Sequence, residues 1–209
     1  MKNKIIIIAM FLFIGTTVKA QDNNTSKIEF GVKGGISYSN VYDADGEEFD
    51  ADAKFGLTGG AFLAIPIGDF IGIQPEVMIT QKGFEGNGKL LTLPYTFTRT
   101  TTFLDIPIFF AFKPTDQITL LLGPQYSYLL RQRDEFNSSA ASYDQEQEFE
   151  KDNIKDNIFG IAGGIDIYLD NIVIGGRFAW DIQNNRGDGS SFTPRYKNVC
   201  TQLTIGFKL

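Results

Sequence analysis

The chain closes on "TQLTIGFKL", residues 201–209, in which Leu203, Ile205, Phe207 and Leu209 alternate with Gln202, Thr204, Gly206 and Lys208. A period of two marks a strand with one apolar and one polar face. The last residues of soluble domains are usually polar and frayed. An apolar strand reaching the final residue therefore predicts that these residues are structural, and the sequence before them indicates what they close.

Seven earlier segments alternate in the same way: 28–39, 55–65, 71–82, 102–112, 118–131, 157–169 and 171–182, with the final strand spanning about 197–209. In each, large aliphatic and aromatic side chains occupy one face. The other face is small or polar, as in "NIVIGGRFAWDI" (171–182), where Ile172, Ile174, Phe178, Trp180 and Ile182 oppose Val173, Gly175, Arg177, Ala179 and Asp181. No stretch sustains a 3.6-residue period, so the fold class is all-β. The connections alternate long and short: 40–54, the "PIGD" turn, 83–101, the "KPTD" turn, 132–156, the "LDN" turn and 183–196. An eight-stranded antiparallel up-and-down transmembrane β-barrel, with short turns at one end and long loops at the other, produces that alternation. A Greek-key sandwich does not.

The first residues set the compartment. Lys2 and Lys4 precede the apolar run 5–14, and Val18-Lys19-Ala20 has the form of a cleavage site. Residues 1–20 read as a secretory signal and 21–209 as the barrel domain. The apolar run is shorter than the roughly 20 residues a membrane-spanning helix needs. Removing three lysines with the signal leaves 16 basic against 25 acidic residues, a net of −9, which makes nucleic acid an unsuitable partner. Cys200 is the single cysteine, so no internal disulfide forms.

A soluble barrel also alternates, with its apolar face inside. Three features select the membrane form. The polar face is rich in Gly, Ala, Ser and Thr, which suit a cramped lumen. It carries Glu29, Glu76, Asp105, Asp166 and Asp181 with Lys33, Lys82, Arg131, Arg177 and Lys208, a balanced set of the kind an enclosed lumen requires. Aromatic residues on the apolar face gather near strand ends, with Tyr38, Phe55, Tyr126, Tyr128, Phe159 and Trp180 toward the long loops and Phe30, Phe112 and Phe207 toward the short turns. Such positions match interfacial girdles. On this reading the last strand pairs with the first, Glu29 pairs with Lys208, and the termini are periplasmic while the long loops are extracellular. Pro75, Pro107 and Pro124 fall within strands, where a missing N–H predicts bulges.

The sequence has no histidine, which removes Ser-His-Asp and His-based zinc chemistry. A non-enzymatic role follows as the expectation, with lumen carboxylates in salt bridges. The acidic run 43–52, with Asp43, Asp45, Glu47, Asp50 and Asp52, offers oxygen ligands that suit Ca²⁺, but Gly46 stands fourth from Asp43 where an EF-hand loop needs glycine sixth. A solvated, self-repelling loop explains the same run, so no cofactor is expected. The partners expected are outer-membrane lipid, the barrel-assembly machinery during biogenesis and an extracellular or envelope protein met by the acidic loops. A narrow channel or transporter is the alternative.

"GVKGGISYSNV", "IQPEVMITQKGF", "FLDIPIFFAFK", "LLLGPQYSYLL", "FGIAGGIDIYL" and "YKNVCTQLTIGFKL", in this order, resemble the PorT-like family of bacterial outer-membrane β-barrels. The resemblance spans the mature chain and includes the "QPE", "DIP" and "GPQ" proline motifs. It implies an eight-stranded barrel of the Gram-negative outer membrane in a family with few assigned activities, one namesake of which is tied to a protein secretion system. The ending also resembles the C-terminal assembly signal of such barrels, in which Gln202, Phe207 and Leu209 fit; Thr204 replaces the usual glycine and Leu209 the usual terminal aromatic.

Overall fold

The computed structural model of the protein describes residues 27–42, 51–90, 93–138, 142–147, 157–184 and 196–209. The expected signal, residues 1–20, lies outside them. The described strands are β1 (Glu29–Tyr42), β2 (Ala51–Pro66), β3 (Ile71–Leu90), β4 (Leu93–Thr115), β5 (Ile118–Ser138), β6 (Ser142–Gln147), β7 (Asn157–Leu169), β8 (Ile172–Asp181) and β9 (Lys197–Lys208). They form one antiparallel sheet in the order β4-β3-β2-β1-β9-β8-β7-β5-β6, and β4 also pairs with β5. That pairing closes a ring of eight, β1–β5 and β7–β9, as the alternation predicts. β6 stands outside the ring, paired with Gln132–Asn137 of β5 above the level at which β7 takes over that edge.

The terminal strand closes the ring. β9 pairs with β1 from Gly31↔Lys208 to Tyr42↔Lys197 and with β8 on its other side. Even the last residue takes part, since the Leu209 N–H donates to the Phe30 carbonyl at 2.8 Å. A bilayer core offers no water to an open sheet edge, so pairing must run the full apolar height.

The tight connections are Ile67–Phe70, Asp116–Gln117 and Asp170–Asn171; Asp170 has φ 54°, a left-handed conformation that a short polar side chain tolerates. The long connections differ from expectation. Segment 83–101 is not a loop: β3 and β4 stay paired from Lys82↔Thr101 up to Leu90↔Leu93. The glycines of "GFEGNG" hide a strand that the β-branched residues of "TFTRTTTF" sustain. A tilted strand crosses a bilayer in about 9–11 residues. At 23 residues, β4 therefore projects beyond the membrane at the end opposite the tight turns. The stretch 132–156 is likewise partly strand, in the top of β5 and in β6.

The bulges are elsewhere than the prolines. Register carries straight across Pro75 from Phe62↔Glu76 to Ile65↔Ile73, across Pro107 from Pro75↔Ile108 to Met78↔Asp105, and across Pro124 from Pro107↔Gln125 to Phe110↔Leu122. Each proline drops two residue pairs from one ladder without adding a residue, because losing one N–H removes a bond but does not lengthen the strand. True shifts occur in β2 between Ala53 and Thr58, in β5 at Leu130, between Phe103↔Leu129 and Thr102↔Arg131, and in β4 beside the tight turn, between Phe112↔Leu120 and Thr115↔Ile118. Where β2 leaves β3, serines of β1 reach past it. The Ser37 hydroxyl donates to the Gln81 carbonyl at 2.6 Å, and the Gly83 N–H donates to Ser39 Oγ at 2.8 Å.

The outer wall is apolar. Val32, Leu57, Ile79, Phe110, Leu122, Ile161 and Ile205 are exposed around it. Aromatic pairs sit on neighbouring strands near the long-hairpin end, with Tyr38 against Phe55 at 4.7 Å and Tyr126 against Phe159 at 5.3 Å between centroids. In a water-soluble fold these side chains would face inward.

Candidate functional site

The inward face carries the chemistry. Near the tight turns, Lys208 Nζ lies 2.8 Å from Glu29 Oε1, at a rim that is part exposed, and over the Tyr168 ring. Phe62, Tyr168 and Val173 form an apolar layer beside it.

Above that layer four charges from β1, β3, β7 and β8 meet across the lumen. Arg177 Nη2 donates to Glu76 Oε1 and to Asp166 Oδ2, each at 2.8 Å. Lys33 Nζ approaches the same Glu76 oxygen at 2.6 Å, as an ion pair rather than an aligned hydrogen bond. Gln74 joins the two carboxylates, donating to Glu76 at 3.0 Å and Asp166 at 2.9 Å. Period-two alternation places all five side chains inward, and eight strands bring opposite walls within reach of one arginine. The guanidinium lies 5.2 Å from the Phe109 ring centroid, so the layer also packs against Phe109, Ala111, Leu121, Ala162 and Ala179.

A second polar layer follows. Lys82 Nζ meets Asp105 Oδ1 at 3.0 Å, Ser127 Oγ donates to the same oxygen at 2.6 Å, and Gln125 donates to Ser127 at 3.1 Å. Asp181 accepts from the Asn198 side chain at 2.6 Å and its backbone N–H at 3.2 Å, and it is near enough for its charge to act on Lys82. Phe103, Leu129 and Ile158 cover this layer. Higher still, Arg99 makes a two-pronged pair with Asp134, 2.8 Å on each arm, beside Phe84, Phe97 and Tyr196.

Nine of the ten charges read from sequence thus lie on the inner face or its rim. Arg131 does not. Leu130 is an extra residue in β5, so Leu130 and Arg131 both face outward and Gln132 returns to the interior. The Arg99–Asp134 pair is not among the charges expected from sequence, because both residues fall in the connections 83–101 and 132–156; the alternation Phe97, Arg99, Thr101, Phe103 is the signal that marks them as strand. Gln74 and Asn198 are not among the expected site residues either, since neutral amides show their partners only in three dimensions.

Of the acidic run, Asp43, Asp45, Glu47 and Asp50 lie outside the described residues. Asp52 accepts from the Asn87 amide at 3.0 Å. Among the described residues no group of three or more acidic, cysteine or histidine side chains is disposed to hold a metal ion. Gln202 points inward, while Phe207 and Leu209 face outward.

The chain is similar to Ail, the attachment invasion locus protein of Yersinia pestis, with 15% identity over 87% of this chain and 98% of that one and a TM-score of 0.46. It is similar to Neisserial surface protein A, with 12% identity over 86% and 97% and a TM-score of 0.45, and to OprG from Pseudomonas aeruginosa, with 13% identity over 88% and 97% and a TM-score of 0.38. No curated protein matches the sequence. The family model described as "Outer membrane protein beta-barrel domain" matches residues 19–187, so the chain belongs to that family and is a small β-barrel of the Gram-negative outer membrane.

Proposed function

We propose that the protein is a non-enzymatic outer-membrane barrel whose lumen is plugged and whose long hairpins engage an envelope partner or an extracellular ligand. The observation that carries this reading is the stacking of two ion-paired layers between apolar ones, which leaves between them a cavity of only about 10 Å³, room for roughly one water. A barrel filled in this way serves as an anchor. The part left to make contacts is then the projecting sheet, formed by the tops of β2–β5 with β6.

In this assignment residues 1–20 direct secretion, the termini are periplasmic and the hairpins extracellular. Gln202, Phe207 and Leu209 are read by the barrel-assembly machinery. The likeness to PorT-like proteins favours a partner within the envelope, including a role as an accessory to a secretion system.

The test is quantitative co-purification from gently solubilised outer membranes, comparing the intact protein with one lacking residues 138–150. A partner recovered with the first and lost with the second supports hairpin-mediated interaction. Planar-bilayer recording is the companion measurement: a reproducible unitary current from the purified barrel would replace the plugged-lumen reading with that of a narrow channel.

A further inference from the structure

Within the two polar layers of the lumen the buried atoms without a hydrogen-bond partner are Lys33 Nζ, Gln74 Oε1, Asp166 Oδ1, Asp105 Oδ2 and Arg177 Nε, and of these residues Asp105 and Arg177 line one cavity. Asp105 makes its contacts through Oδ1, leaving Oδ2 buried and unpaired, and Arg177 makes its contacts through Nη1 and Nη2, leaving Nε–H buried and unpaired. Both residues are at least nine-tenths buried. Both line the same small cavity, together with Glu76, Gln125, Ala162 and Ala179. One unpaired atom is an acceptor and the other a donor.

We propose that this cavity is a binding site for a single water molecule, which donates to Asp105 Oδ2 and accepts from Arg177 Nε–H. The volume, about 10 Å³, matches one water and excludes two. A water with two to four polar partners is stable in such a place, and an unmade hydrogen bond to a buried charged group is costly. The arginine decides between water and a cation. A metal ion drawn by Asp105 and Glu76 would face the Nε–H head-on, whereas a water oxygen accepts from it. The bound water joins the Lys82–Asp105 layer to the Glu76–Arg177–Asp166 layer, making these two layers one connected polar unit that Phe103, Leu129 and Ile158 cover above and Phe62, Tyr168 and Val173 cover below.

The inference rests on the plugged-lumen reading, and its test separates the two. Oxygen-17 relaxation dispersion on the full mature chain in detergent micelles counts long-lived internal waters. Filling the cavity by Ala162→Val, or independently by Ala179→Val, is expected to remove one such water from the count while the heat-modifiable mobility of the folded barrel is retained. An unchanged count in a folded variant would overturn the site. Should neither variant fold, a high-resolution crystal structure of the unmodified protein reads the same site: a density peak within hydrogen-bond distance of both Asp105 Oδ2 and Arg177 Nε is expected. A dry cavity, or an anomalous peak there after a rubidium soak, would overturn it. A column of rapidly exchanging waters accompanied by unitary conductance would instead defeat the plugged-lumen reading itself.

Discussion

At the scale of single residues, the lumen charges differ sharply in what they contribute. Arg177 touches two carboxylates and is almost fully buried. Truncating one member of a buried pair leaves the others charged and unpaired, at a cost of about 3–5 kcal/mol. Arg177→Met is therefore expected to lower the unfolding free energy of the vesicle-inserted barrel, read from its urea transition, by that order, and a loss below about 1 kcal/mol would mean that Lys33 alone neutralises both acids. The rim pair behaves otherwise. Glu29 and Lys208 are 28% and 24% exposed, and pairs of that kind contribute roughly 0–1 kcal/mol. Glu29→Lys and Lys208→Glu should each destabilise slightly and the double exchange should recover the loss; a double exchange no better than either single change would show that the contact does not contribute as a pair.

At the scale of elements, close approach and parity govern. A Cβ on Gly35 would lie 1.9 Å from the Leu203 carbonyl oxygen on β9, whereas one on its neighbour Gly34, facing outward, would meet nothing nearer than 3.8 Å. Gly35→Ala is expected to push β1 from β9 and cost about 1–3 kcal/mol. Gly34→Ala should stay within about 0.5 kcal/mol; equal stabilities in equilibrium unfolding would contradict the close β1–β9 packing. Parity makes a second test in β5. Leu130 is the extra residue of the bulge, so deleting it restores regular pairing and leaves every later side chain on its present face. Deleting Ser127 turns Tyr128 inward and Leu129 outward and disturbs everything between there and the bulge. Electrophoretic mobility without heating should show a folded band for the first deletion and none for the second, and folding of both would refute the register.

At the scale of the whole molecule, the apolar wall must face lipid. Trp180 is the single tryptophan, is 46% exposed on the outer wall and packs edge-on against Phe178 at 4.0 Å. Its fluorescence should be blue-shifted in vesicles and strongly quenched by brominated acyl chains, and little by a water-soluble quencher such as acrylamide. The reverse pattern would place the belt in water and overturn the membrane orientation of the barrel wall.

Alternation determined the class of fold, the number of ring strands and the two faces of each strand, because side-chain direction in a strand is a local property with period two, and the small, charge-balanced polar face determined which of the two is the lumen. Arg131 shows where that local rule stops. One inserted residue resets the face, and nothing in "YSYLLRQR" distinguishes Leu130 as the extra one until β4 is laid beside it. The prolines make the converse point: each lost its N–H bond, as the sequence required, but the neighbouring strands kept their register and no bulge was needed. Which charges meet was largely a tertiary decision: Asp166 and Arg177 are already neighbours across the β7–β8 hairpin, but Lys33 and Glu76 are far from both in the chain and come within bonding distance of Arg177 only when the ring is closed. Ring closure at eight strands sets a lumen narrow enough for one arginine to reach two walls, and that diameter belongs to the assembled barrel rather than to any strand in it.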